Sequence, residues 1–441
     1  MSFSRYPNYK DSGVRWLGHV PAHWQVAPVS SRYHVQLGKM LDSNKITGDH
    51  LRPYLRVADV QWGRINTVDL PLMDFDESAR AKFSLSVGDL LVNEGGSPGR
   101  SAIWDGSIAE CYCQKALHRL RPYRQEEDTT SFFYYVMVWA TTQGVFVAGG
   151  NETTIEHVPA EKLRRYRFAF PPFAEQLAIA NSLDRETAKI DTVVTEYERL
   201  IQLLREKRQA VVSHAVTKGL NPGVSMRDSG IDWVGDIPAH WEAVRNKAVF
   251  REVDERAESD SGELLTVSHL TGVTKRSEKD VNMFLAETLE GYKMCARNDL
   301  VINTMWAWMG ALGCSPHEGL VSPSYNVYRP RRPDCLLPSY YDYLCRLPTH
   351  AIAMKARSTG VWESRLRLYP GAFLDMRMPL PPREEQQEIV AHLREQLQKW
   401  DALVDEAQRA VDLLRERRTA LISAAVTGQI DVRAAAARTA A

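Results

Sequence analysis

Few residues of this chain are of a type and spacing to do covalent or metal chemistry, and each candidate lacks a partner that its chemistry needs. His240-x-Glu242 has the spacing of a zinc-deaminase ligand and proton shuttle, but no Pro-Cys-x-x-Cys follows it. An earlier copy of the same stretch carries Gln25 where the glutamate stands. Phe170-Pro171-Pro172-Phe173 has the outline of the Asn/Asp-Pro-Pro-aromatic tetrad with which amino-methyltransferases hold a target amine. Its first residue accepts no hydrogen bond, and the second copy reads Leu380-Pro381-Pro382-Arg383. Gly95-Gly96-Ser97-Pro98-Gly99 lacks the Lys-Ser/Thr ending of a phosphate loop and reads as a tight turn. Cys111-x-Cys113 reads as a strand with two thiols, and the six cysteines include no Cys-x-x-Cys. The chain is therefore expected to be no enzyme by itself, with no metal and no cofactor of its own.

The elements that would position recognition chemistry are clearer, because the chain is written twice. Asp11–Trp24, DSGVRWLGHVPAHW, returns at Asp228–Trp241 as DSGIDWVGDIPAHW, identical at nine of fourteen positions. Gln202–Lys218, QLLREKRQAVVSHAVTK, returns at Asp412–Gly428 as DLLRERRTALISAAVTG. Weaker echoes pair Asp89-Leu90 and Asn93 with Asp299-Leu300 and Asn303, and Glu175-Gln176 with Glu385-Gln386. The edges of the unit repeat closely, while the interiors share only scattered positions. Two copies under one packing demand and two recognition demands would drift in this pattern; faster divergence of loops is the plainer account.

Each copy ends in a heptad pattern that opens after a Pro-Pro pair. The first seam runs Leu183, Thr187, Ile190, Val194, Tyr197, Ile201, Leu204, Arg208, Val211, Ala215. The second runs Leu393, Leu397, Trp400, Val404, Ala407, Val411, Leu414, Arg418, Leu421, Ala425. About 44 residues at ~1.5 Å each make a rod of roughly 65 Å. Arg208 and Arg418 interrupt the seam at matching places, where they snorkel, pair with a glutamate or fix register. A twofold relation between the copies makes the two helices antiparallel and brings Asp11–Trp24 to the end of the second helix. The interiors read as α+β, with strands at Tyr54–Val60, Asp89–Asn93 and Asp299–Asn303 and helices around Ser131–Thr141 and Ser339–Arg346. Residues 432–441 read as a frayed tail.

Composition bounds the partners. With 44% hydrophobic and 25% charged residues in 441, disorder and fibrous structure are excluded. The apolar run Phe132–Ala140 falls short of the ~20 residues of a membrane span, and the first residues show no apolar signal segment, so a cytoplasmic location is expected. Fifty-five basic residues balance fifty-five acidic ones. Such neutrality argues against coating nucleic acid by bulk charge, favours a coiled-coil scaffold, and leaves a local basic groove open.

The order Asp-Ser-Gly, Trp-x-Gly, Pro-Ala-His-Trp, variable interior, Leu-Pro-Pro-x-x-Glu-Gln (Leu380–Gln386), long helix, Ala-Val-Thr-Gly (Ala425–Gly428) closely resembles the specificity subunit of type I restriction–modification enzymes. That resemblance covers nearly the whole chain. It implies two target recognition domains (residues 1–170 and 221–380), two helical spacers (171–220 and 381–431) and a tail at 432–441. It further implies a bipartite double-stranded DNA site and two modification subunits that bind S-adenosylmethionine and methylate adenine at N6. Restriction subunits using ATP and Mg would join them, and no membrane partner is implied.

Within that frame the DNA-binding candidates of the first interior are Lys39, Asn93, Ser97, Arg100 and Thr153, which lie in polar or glycine-rich turns, with Arg165 in the basic run Lys162–Arg167. Persistence of Asn93 as Asn303 also suits a turn role common to both copies. In the second interior the candidates are Asn303, Trp306, Trp308, Ser324, Tyr325, Arg365 and Arg367. The two tryptophans are either core or a platform against DNA. Glu196, Arg199, Glu406 and Arg409 face outward from the seams, toward solvent or a modification subunit.

Overall fold

The computed structural model describes residues 4–41, 48–146, 157–258, 262–279, 288–362 and 366–433. The chain forms two compact units, Met1–Glu198 with Arg409–Ala441, and Arg199–Gln408. The divide falls inside two long helices, Phe173–Lys218 and Arg383–Val426, so each unit holds part of both. Every seam residue named above is buried or half-buried. In the first unit Arg418 Nε donates to Asp191 (2.8 Å) and Arg415 to Glu198 (2.7 Å), so numbers rise along one helix as they fall along the other. In the second unit Arg208 Nε donates to Asp401 (2.9 Å), and the Lys207 ammonium lies 5.0 Å from the Trp400 ring centre. The helix segments are antiparallel within each unit. The seam arginines pair across to an aspartate, Arg208 to Asp401 and its copy Arg418 to Asp191, where a glutamate was one expectation.

The repeated edge motifs meet at the start of each long helix. Trp24, fully buried, donates its indole N–H to Glu175 (2.9 Å), and His23 (2.9 Å) and the Tyr6 hydroxyl (2.5 Å) reach the same carboxylate. In the second unit Trp241 (2.9 Å) and His240 (2.8 Å) reach Glu385. The neighbouring glutamine closes the joint in each. Gln176 donates to the Pro171 and Glu127 carbonyls and accepts from the Thr129 N–H; Gln386 donates to those of Pro381 and Cys335 and accepts from Leu337. His240 thus holds Glu385 rather than serving as a ligand beside Glu242. Among the described residues no group of three or more His, Cys, Asp or Glu is placed to hold a metal ion.

The N-terminal segment packs at the end of the second helix. Asp431 N–H donates to the Ser4 carbonyl (2.8 Å) and the Tyr9 hydroxyl to that of Gly428 (3.0 Å). Gly428 is left-handed, and a Cβ there would meet Pro21 at 2.3 Å, so this helix end admits no side chain. Val432 is fully buried and Arg433 binds Asp431, so the expected fraying does not begin at 432; residues 434–441 lie outside the described residues.

Both units carry the same four-stranded antiparallel sheet. Its order is Ser101–Ile103, Leu90–Asn93, Leu117–Pro122, Tyr33–Leu37 in the first, and Leu312–Cys314, Leu300–Asn303, Tyr325–Pro330, Phe250–Val253 in the second. Thr130–Thr142 and Pro338–Cys345 are the helices expected around Ser131 and Ser339. The strand expected over Tyr54–Val60 is shorter, Leu51–Leu55. Asp59 accepts from the Arg56 backbone (2.8 Å) and guanidinium (2.9 Å), closing a turn of 3₁₀ helix at Val57–Asp59. No described helix is long and apolar enough to cross a membrane.

Three outcomes follow for stability. Replacing Glu175 by Ala strands the Trp24 indole and Tyr6 hydroxyl, and unfolding in denaturant should show a loss of about 3 kcal/mol. Removing the exposed partner of Arg415 (Glu198→Ala) should change it by under about 0.5 kcal/mol. His350 is fully buried against the Cys345 carbonyl (2.9 Å), and burial pushes its pKa down to about 4. The unfolded chain takes that proton near pH ~6.5, so stability should fall as pH drops from about 6.5 to 4, by about 3 kcal/mol from this group. His350→Gln should flatten the fall in melting temperature over that window.

Candidate nucleic-acid interface

One hairpin stands at the same place in both sheets. It joins Leu90–Asn93 to Ser101–Ile103 in the first unit and Leu300–Asn303 to Leu312–Cys314 in the second. Its base is fixed at one end by a buried carboxylate holding an arginine with two bonds. Arg121 binds Asp89 at 2.7 and 2.7 Å, and Arg329 binds Asp299 at 2.9 and 2.8 Å. These bonds hold both guanidinium pKa values above their ordinary range. At the other end stands the asparagine common to both copies. Asn93 donates its N–H to the Arg100 carbonyl (2.8 Å) and Asn303 to that of Ala311 (3.0 Å). Both asparagines are buried, and both side-chain oxygens lack a partner among the described residues. A returning segment docks beside each loop, Val158 N–H on the Glu94 carbonyl (2.8 Å) and Leu368 N–H on that of Thr304 (3.1 Å). The frame is common; the loops, Glu94–Gly99 and Thr304–Gly310, have unrelated sequences.

The first loop is polar and tightly seated. Arg100 donates to Ser97 Oγ (2.8 Å) and to Gln61 Oε1 (2.9 Å), and its Nε is buried without a partner. Gly99 is left-handed, and a Cβ there would meet Thr141 Oγ1 at 2.3 Å. Gly95–Gly99 also has the Gly-x-Ser-x-Gly spacing of a hydrolase elbow. It joins two antiparallel strands instead of a strand and a helix, and Ser97 bonds to an arginine and to no histidine among the described residues.

The second loop is aromatic and open. Trp306 is 49% exposed, and its ring stacks on Trp308 with centres 6.1 Å apart and planes 18° apart. The Trp308 indole N–H donates to the Met305 carbonyl (3.0 Å), and the Lys355 ammonium lies 5.6 Å from its ring centre. Met305, Met309 and, on the helix Pro348–Arg357, Ile352 are exposed too. Of the two readings for the tryptophans, core packing does not describe Trp306. Ser324 accepts from the Thr304 hydroxyl (2.9 Å), Tyr325 is the sheet partner of Asn303, and exposed Arg367 bridges Thr359 backbone to backbone. Lys355, Arg357 and Arg367 are the cations on the described segments beside this loop. Stacked rings with cations beside them suit bases and phosphates.

The structure gathers Asn93, Ser97 and Arg100 at one sheet end in the first unit, and Asn303, Trp306, Trp308, Ser324, Tyr325 and Arg367 at the matching end in the second. Asn93 has no exposed surface and Asn303 little, so they support the loops from beneath. Lys39 turns inward, its ammonium bonded to the Asp74 carbonyl and 5.0 Å from the Phe75 ring centre. In the basic run Arg164 and Arg167 bind the Val35 and Val26 carbonyls, while Arg165 is exposed. Thr153 and Arg365 lie outside the described residues. Gln61, Ile352, Lys355 and Arg357 were not singled out in the sequence, and no motif there marks them.

The sequence model of the type I restriction modification DNA specificity domain matches residues 24–202. A putative type I restriction enzyme MjaX specificity subunit from Methanocaldococcus jannaschii is 21% identical, with 98% of this chain and 99% of that protein covered. The EcoBI specificity subunit of Escherichia coli is 22% identical, over 70% of this chain and 67% of its own. Among solved structures, a chain from work on complex assembly and conformational transition of the type I R-M system superimposes with a TM-score of 0.65 at 15% identity, covering 92% of this chain and 98% of that one. The HsdS subunit from Thermoanaerobacter tengcongensis does so at 0.53 and 16%, covering 93% and 98%. The fold is thus that of these subunits, an α+β chain with two domains and two long helices. Over nearly its whole length the chain is similar to the DNA specificity subunits of type I restriction–modification enzymes.

Proposed function

We propose that the chain reads a bipartite double-stranded DNA site, one half with each unit, and that the hairpin loops at Glu94–Gly99 and Thr304–Gly310 carry the reading. The observation behind this is the common frame with unrelated loops: an Asp–Arg pair and a buried asparagine are kept, while everything they present differs. Ser97 and Arg100 serve the first half-site, and Trp306, Trp308, Ser324, Tyr325 and Arg367 the second, with Arg165 on phosphate. The chain supplies the address. Two modification subunits bring S-adenosylmethionine and transfer its methyl group to adenine N6, and restriction subunits bring ATP-driven cleavage. The exposed Glu196, Arg199, Glu406 and Arg409 lie on the helix faces open to such subunits.

Energetics favour two readers over one. A good bidentate base contact discriminates by ~1–3 kcal/mol, while specific binding needs ~4–10 kcal/mol over non-specific binding. Two readers on continuous helices accumulate their discrimination and make the second encounter intramolecular. The helices, in this reading, set the unread gap between the half-sites.

Trp306→Ala should weaken DNA binding by the complex with its modification subunits about tenfold, the value of ~1.4 kcal/mol of lost stacking. Its melting temperature should stay close to that of the parent. Exchanging Thr304–Gly310 for another loop should alter one methylated half-site in a methylome and leave the other intact; two unaltered half-sites would reject the loop assignment. Inserting one matched heptad after Glu198 and one after Gln408 should lengthen the gap with both half-site sequences kept. An unchanged gap with altered half-sites would reject the role given to the helices.

A further inference from the structure

The second unit contains a basic cleft at the far end of the sheet from its hairpin loop. Its volume is about 690 Å³, and Arg297, Arg329, Arg383 and Arg394 line it with Asp299 the one carboxylate. That carboxylate is taken up by Arg329 in two bonds. Arg297, Arg383 and Arg394 make no ion pair among the described residues, and Arg383 Nη1 is buried with no hydrogen-bond partner. Asp299 precedes the strand Leu300–Asn303 whose other end carries the loop, so the cleft and the loop stand about 13 Å apart along that strand.

The first unit has a cavity at the equivalent place, of about 340 Å³, and its chemistry is different. Arg121 and Asp89 are kept, but Val87 stands at the place of Arg297 and Phe173 at that of Arg383. Asp184, bonded by the Tyr135 hydroxyl (2.6 Å), stands at that of Arg394. The first cavity has a second carboxylate, Asp128, in its wall. The scaffold common to both copies therefore does not demand the three arginines. Packed together without counter-charge they repel one another, and the buried Nη1 of Arg383 forfeits a hydrogen bond.

We propose that this cleft binds a phosphate-bearing anion, at a site distinct from the hairpin loops and independent of whether those loops read DNA. Guanidinium forks match phosphate oxygens in pairs. A diphosphate carries the charge that offsets three surplus cations, where a single carboxylate carries one. The volume lies in the range of small-molecule sites, ~300–1,000 Å³, and admits a nucleotide. Phosphate of this kind comes either from a free polyphosphate ligand or from the backbone of bound DNA.

Calorimetric titration of the full chain with pyrophosphate tests it. Saturable one-site binding is expected, weakened at least tenfold in the Arg383→Gln/Arg394→Gln variant and unchanged in Trp306→Ala. The single variant Arg297→Gln, at an exposed position, should weaken it in the same direction and guards against loss of folding in the double one. Absence of saturable binding, parent-like affinity in both arginine variants, or equally tight binding of malonate would overturn the proposal. A duplex arm separates the sources. A double variant that loses DNA affinity along with pyrophosphate assigns the phosphate to the DNA backbone, and one that loses pyrophosphate alone assigns it to a free ligand.

Discussion

The architecture of each unit hangs on one carboxylate at the first turn of a long helix, buried at Glu175 and half-buried at Glu385. Glu175 and Glu385 each take an indole N–H and an imidazole from a segment about 150 residues earlier in the chain, and Glu175 takes a tyrosine hydroxyl besides. A buried carboxylate is tolerable only when its oxygens are filled, and charge-assisted bonds to fixed donors fill them with defined directions. The joint therefore fixes the angle at which the helix leaves its module. It also explains which residues the two copies keep: His-Trp on one side and Glu-Gln on the other are halves of one contact. Substituting either half alone leaves a charge or a donor stranded, whereas loop residues elsewhere carry no such coupling.

A second constraint operates at the hairpin. The Asp–Arg pair at one end of the central strand and the asparagine at the other hold the hairpin base in place, so the loop between Asn93 and Arg100, or Asn303 and Ala311, can change without moving the sheet. This separation of frame from loop permits one fold to present a seated arginine in one unit and a stacked tryptophan pair in the other. One loop is glycine-rich and polar, the other aromatic.

The helical part was legible in the sequence because burial there follows a period of seven over many turns, and each seam position from Leu183 to Ala425 lies inward. The repeat made the antiparallel pairing of helix segments readable as well. The α+β modules were much less so. Their strands run two to six residues, too short for alternation to mark both ends, and at Tyr54–Val60 a side-chain cap from Asp59 cut the strand where propensity would have continued it. Individual side chains were hardest. Lys39 sits in a turn of the kind that offers cations to a partner, yet its ammonium is satisfied by a carbonyl and an aromatic face more than thirty residues away. Asn93 and Asn303 looked alike from the sequence as loop residues or as turn supports, and burial, which is a property of the whole sheet, decides for support.

Neutral net charge argued for a scaffold and against nucleic acid, and the structure shows how much of that neutrality is local pairing. The helix segments consume charge in matched bonds such as Arg208 with Asp401 and Arg418 with Asp191, and the sheet frames do so in Asp89 with Arg121 and Asp299 with Arg329. Such pairs cancel within a few ångströms and contribute little field at a distance beyond the ~8–10 Å screening length. What remains is the uneven part, a cleft where three arginines lack a counter-charge among the described residues. A potential that binds anions is set by such local charge and by the low-dielectric walls around it, not by the sum over the chain. For the function proposed above, basic patches confined to the binding sites serve discrimination better than a uniformly basic surface, which would bind duplex along the helices too.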